Sequence, residues 1–80
     1  MIDKEMILDK VRNFHQLERK VHVTKIPTIK FPRGKYHNGF ISQYLGDKQK
    51  IIFLDDKDGP TEIFFFEIAD VELYTEVNDA

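Results

Sequence analysis

The sequence predicts a mainly β fold, in which one N-terminal α-helix precedes a five-stranded antiparallel small barrel. Three observations carry this reading. The first 20 residues repeat apolar side chains at helical spacing, the chain beyond Lys20 turns to β-branched and aromatic residues, and Pro and Gly cut that stretch into runs of strand length. Eighty residues at 41% hydrophobic leave room for one core, so 1–80 is a single domain with the helix at about 3–19 and the barrel at about 20–77.

Ile7, Val11, Phe14 and Leu17 stand four, three and three residues apart, one stripe of an amphipathic helix that Met6 and Leu8 widen. Asp3 is placed to cap its N-terminus. Glu5 in the first turn and Arg19 and Lys20 in the last suit the helix dipole. A lone helix with such a face must pack on the strands, so these four side chains are expected to cover an open end or face of the barrel.

Val21 to Ile26 reads as the first strand, ended by Pro27. Thr28 to Lys35, with Pro32 and Gly34, is a loop or irregular edge. Tyr36 to Leu45 is the second strand, Gly46 to Gln49 a turn, and Lys50 to Asp55 the third strand. Asp56 to Pro60 is a turn, since Asp-Gly followed by Pro does not continue a ladder. Thr61 to Ile68 is the fourth strand, Ala69 and Asp70 a short break, and Val71 to Val77 the fifth. In the fourth strand, alternation sends Ile63 and Phe65 one way and Phe64, Phe66 and Ile68 the other. Apolar residues on both faces require two covers. One is the barrel core; the other is the helix, a neighbouring subunit, or a ligand at an open hydrophobic site.

The N-terminal helix, the spacing Gly34 to Gly39 followed by Phe40-Ile41, the run Ile51-Ile52-Phe53-Leu54-Asp55-Asp56, and a fourth and fifth strand joined by almost nothing resemble the Sm and Sm-like barrels. The resemblance covers roughly Met6 to Val77 and implies the strand plan shared by SH3-like barrels. In that family the loop before the third strand carries an Asp and an Asn at an RNA base pocket, and an Arg-Gly pair marks the fourth-to-fifth junction. Here the first region reads Gly46-Asp47-Lys48-Gln49-Lys50, so Asp47 and Gln49 stand in for the polar pair, and the junction Ile68-Ala69-Asp70 has no Arg-Gly. The loop from Ile26 to Gly34 is longer than is usual there.

Charge is unevenly divided along the chain. Residues 1–19 balance, residues 20–50 carry seven bases against Asp47 alone, and residues 51–80 carry nine acids against Lys57 alone, so +6 is followed by −8. The basic stretch interleaves cations with Phe31, Tyr36, His37, Phe40 and Tyr44, the ingredients of a surface that tracks phosphates and stacks bases. Lys30, Arg33, Lys35, Tyr36 and Lys48 are therefore the candidate contacts for RNA or single-stranded DNA. The competing reading is an interaction module with no nucleic-acid binding. Its candidate interface is Phe64, Phe65, Phe66 and Glu72, on fourth and fifth strands that a small barrel leaves as edges. A head-to-tail contact with the basic second strand of another copy would cover that edge, so a homo-oligomer is expected.

Catalytic and metal motifs are thin, and neither an enzyme nor a cofactor is expected. His15, His22 and His37 lack zinc spacing and read as surface or packing residues. With Gly59 as the sixth residue of a calcium loop, Asp56 and Asp58 fall at positions three and five, but Leu54 and Phe65 occupy the anchoring first and twelfth positions. No Gly-rich phosphate loop or nucleophile elbow is present. The absence of cysteine excludes disulfides and thiolate zinc, and fits a cytoplasmic chain. The longest apolar runs, Ile51–Leu54 and Ile63–Phe66, fall far short of a membrane span of about 20 residues.

Overall fold

A computed structural model describes residues 4–75. Helix α1 (Lys4–Leu17) is followed by strands β1 (Val21–Lys25), β2 (Lys35–Leu45), β3 (Lys50–Asp55), β4 (Gly59–Phe64) and β5 (Ile68–Leu73). The strands form one antiparallel sheet in the order β4-β3-β2-β1-β5, so β4 and β5 are its two edges, and no ladder joins them among the described residues. The mainly β expectation holds. Asp3, Glu76 and Val77 lie outside the described residues.

β2 organises the sheet because it is shared. Its first half pairs with β1 (Val23↔His37, Val21↔Gly39) and its second with β3 (Gly39↔Asp55 to Leu45↔Lys50). A register shift between Ile41 and Gln43 leaves Ser42 as an extra residue, which bends the strand. Gly39 takes part in both ladders, and a Cβ there would lie 1.9 Å from the Leu54 carbonyl oxygen, so only glycine permits the approach.

The core comprises Ile7 and Val11 of α1 with Val21, Val23, Ile41, Ile51, Phe53, Ile63, Phe65, Ile68 and Val71. The helix packs on β2 and β5. Its first turn is tied down by Lys4, whose Nζ donates to the carbonyls of Phe65 (2.8 Å) and Ile68 (3.3 Å), and Lys10 pairs with Asp70 at 3.2 Å. The expected helical stripe is only half used: Phe14 is partly buried against the core, whereas Leu17 is 57% exposed. α1 ends at Leu17, before the expected Arg19, with Glu18 in the left-handed region (φ 54°).

Several boundaries depart from the sequence expectation: β2 begins one residue early, at Lys35, and β5 ends at Leu73, with Tyr74 and Thr75 outside the strand. β1 stops at Lys25 because the Ile26 N–H turns to the Glu67 carbonyl (2.8 Å). β4 starts early, taking in Gly59 and Pro60; as an edge strand it needs no N–H from Pro60 on its open side. The break between the last two strands falls at Phe65–Glu67, a single 3₁₀ turn, and not at Ala69 and Asp70. Glu67 is the cause: its carboxylate accepts the Phe64 N–H (2.9 Å) and pairs with Lys25 (3.4 Å), pinning the turn to the end of β1. The turn resets the alternation, so Ile68 joins Ile63 and Phe65 in the core instead of facing outward with Phe66. Phe65, expected at an interface, is a core residue stacked on Tyr44 at 5.4 Å. Phe64 and Phe66 stack on each other outside the core at 5.7 Å, Phe66 being 69% exposed. No helix among the described residues is long and apolar enough to cross a membrane.

Gly39→Ala should therefore destabilise the protein by at least about 1–3 kcal/mol, the usual cost of overpacking, as read by urea unfolding. Ile7→Ala should cost about 2–5 kcal/mol, and Leu17→Ala less than about 0.5 kcal/mol, because only the first side chain leaves a cavity.

Candidate functional site

β2 outruns β3. The β2–β3 ladder stops at Gly39↔Asp55, so Lys35–Asn38 has β1 on one side and, on the other, the turn that follows Asp55. The space between is a cleft of about 400 Å³ lined by Gly34 to Asn38 and by Asp55 to Asp58. Strand alternation divides its polar groups. His37 and Asp55 point to the core side, while Tyr36 and Asn38 point away from it.

Asp55 is the hub of the core side. Its Oδ1 accepts the Nδ1–H of His37 at 2.8 Å, and its Oδ2 accepts the backbone N–H groups of Lys57 (2.8 Å) and Asp58 (2.9 Å), which folds the turn back over the strand end. Burial pushes the Asp55 carboxyl upward in pKa, but the N–H of Asp58, the His37 bond, the N–H of Lys57 and the His37 charge together bring it below the ordinary carboxylate value. His37 is 4% exposed and meets the Phe53 ring edge-on at 6.2 Å; its Nε2 is out of water with no hydrogen-bond partner. On the other side, His22 Nδ1 donates to Asn38 Oδ1 at 2.6 Å and its ring lies 5.1 Å from Tyr36. The Asp56 N–H donates to the Asn38 carbonyl (2.9 Å), and the Asp56 carboxylate pairs with Lys20 at 2.5 Å.

The loop at 26–34 reaches the cleft only at Gly34. Thr28 and Gly34 both donate backbone N–H groups to the Phe31 carbonyl, and the Phe31 N–H returns to Thr28 Oγ1. This closure presents the Phe31 ring, 40% exposed, with the Lys30 and Lys35 ammoniums 5.8 and 5.2 Å from its centroid. Arg33 and Tyr36, both exposed, flank it in sequence.

Four of the five expected contacts, Lys30, Arg33, Lys35 and Tyr36, thus belong to one end of the sheet. Lys48 does not; it lies in the 3₁₀ turn (Gly46–Lys48) at the far end of the β2–β3 hairpin. Beside it, Gln49 is left-handed (φ 56°) and its carbonyl accepts the Phe65 N–H at 2.9 Å, so that turn leans on the β4–β5 junction. The interface candidates are likewise separated: Phe64 and Phe66 mark the β4 edge, Phe65 is internal, and Glu72 is exposed on β5 at the opposite edge. Sequence reasoning missed the His37–Asp55 pair because its members come from different strands, and no local spacing announces it.

Asp55 contributes stability above the unfolded carboxylate value, about pH 3.9, and loses it as pH falls through its lower folded value. Asp55→Asn should remove that part of the acid dependence and lower stability at neutral pH, measured by denaturant titration across pH 2–7. No family model, curated protein or solved structure matches the chain.

Proposed function

We propose that this chain is a noncatalytic binding module, a small barrel of the Sm-like or SH3-like kind, that holds single-stranded RNA or DNA with the 26–34 loop and the start of β2. The observation that carries the reading is the Phe31 ring, 40% exposed, with the Lys30 and Lys35 ammoniums 5.8 and 5.2 Å from its centroid. Aromatic faces stack bases at about 1–3 kcal/mol each, and neighbouring cations follow the phosphates. The basic charge is free for this task. Among the described residues, Lys20, Lys25 and Lys50 pair with Asp56, Glu67 and Glu62, whereas Lys30, Arg33 and Lys35 form no ion pair. The partition turns +6 facing −8 into a local cationic patch.

Fluorescence anisotropy with a labelled oligonucleotide tests it. Three phosphate contacts to a single strand predict an affinity loss of roughly 20-fold between 50 and 200 mM salt. Phe31→Ala should weaken binding by about 1–3 kcal/mol, Lys35→Glu should weaken it and flatten the salt slope by about one unit, and Lys48→Glu should change neither. Failure of any oligonucleotide to bind at low salt overturns the reading.

A second reading is favoured by the two open edges, β4 carrying the stacked Phe64–Phe66 pair and β5 carrying Glu72. Under it the chain self-assembles edge to edge. Sedimentation should then show a homo-oligomer at micromolar concentration that Phe66→Glu dissociates; a monomer throughout rules it out.

A further inference from the structure

We propose that His37 and Asp58, with Asp55 behind them, form a site for one divalent cation of the manganese-to-zinc series in the cleft beside β2. A nitrogen of His37 and a carboxylate oxygen of each of Asp55 and Asp58 lie within 4.8 Å of one another. Ligands held about 2.0–2.2 Å from a tetrahedral metal stand about 3.4 Å apart, so Asp58 has to close on His37 by up to about 1.4 Å. Asp58 can supply that shift: it is exposed and sits on a turn.

Two further observations point to a bound cation. His37 lines the cleft with only one of its nitrogens occupied. Asp55 takes the Nδ1–H at 2.8 Å, which in the neutral imidazole places the lone pair on Nε2, and that atom is buried without a partner. A carboxylate holding one imidazole nitrogen while the other binds metal is the usual outer-shell arrangement of histidine ligands. A proton on Nε2 would merely exchange an orphaned acceptor for an orphaned donor. Charge gives the second observation. Two carboxylates converge on this imidazole, and among the described residues neither pairs with a lysine or arginine. Neighbouring Asp56, by contrast, is neutralised by Lys20. A dication supplies the missing charge, and a nitrogen donor beside carboxylates selects a borderline metal over Mg²⁺ or Ca²⁺. The cation would lie in the cleft beside β2, and its presence does not depend on nucleic-acid binding.

The test uses the full chain, with Zn²⁺ titrated calorimetrically and Mn²⁺ added separately for NMR. One Zn²⁺ should bind per chain and resist excess Mg²⁺, and Mn²⁺ should broaden the amides of residues 34–38 and 55–58 first. Asp58→Asn should weaken Zn²⁺ at least tenfold without moving the melting temperature of the metal-free protein, and Asp56→Asn should bind as the parent does. His37→Gln should abolish binding; if that variant does not fold, Asp58→Asn alone decides. Unchanged affinity in Asp58→Asn, broadening centred on His15 or His22, or no saturation below millimolar Zn²⁺ overturns the site.

Discussion

The structure depends on one close approach, the passage of β2 past the end of β3 at Gly39. An eleven-residue strand serves two partners here, and the handover happens at a residue paired with Val21 on one side and Asp55 on the other. The absent Cβ admits the Leu54 carbonyl, and the extra residue at Ser42 then bends the strand so that both halves face a common interior. The same handover creates the cleft. Had β3 continued beyond Asp55, it would have covered Lys35–Asn38, and His37 would be one more packed side chain in a closed sheet.

Most of the architecture was legible because it rests on local signals. Ile7 and Val11 announce the buried helical face, and the apolar, β-branched run Ile51–Leu54 between the Gly46–Gln49 turn and the Asp56–Pro60 turn marks β3. The errors share a cause. Leu17 continues the helical stripe, but the stripe outlasts the sheet beneath it, which periodicity cannot report. Ile63 to Ile68 reads as one strand because apolarity gives no hint that a carboxylate three residues on will capture the Phe64 N–H. Phe64 has no side-chain oxygen to complete a capping box, so the Ser/Thr signal that would announce such a turn is missing. Lys48 was grouped with Lys30, Arg33 and Lys35 on composition, and a hairpin separates groups that composition brings together.

The charge asymmetry resolves in the same physical terms. Antiparallel pairing sets the basic middle of the chain beside the acidic end, and three lysine–carboxylate pairs at Lys20, Lys25 and Lys50 consume much of both signs. These partly exposed pairs contribute little stability each, about 0–1 kcal/mol. Their effect is positional: among the described residues they leave Lys30, Arg33 and Lys35 without an ion pair, and Asp55 and Asp58 without a lysine or arginine partner. The polar cleft beside β2 is lined by Lys35 to Asn38 and by Asp55 to Asp58.

The pairing of β1 with β5 carries a consequence for how the chain reaches this state. Val21 lies opposite Leu73, so the sheet is joined across nearly the whole described sequence, while β2, β3 and β4 form a meander of nearest neighbours. Local pairings require little loop closure and form early; the β1–β5 ladder must wait for distant segments to meet. Lys4 and Lys10 anchor the helix to Phe65, Ile68 and Asp70, all at or beside β5, so α1, which precedes every strand in the chain, needs the last of them to complete its contacts. Until β5 is in place, Ile7 and Val11 have only part of their core to bury into. Order along the chain and order of burial therefore run opposite ways: the helix comes before every strand, and its apolar face is fully covered only when β5 joins the sheet.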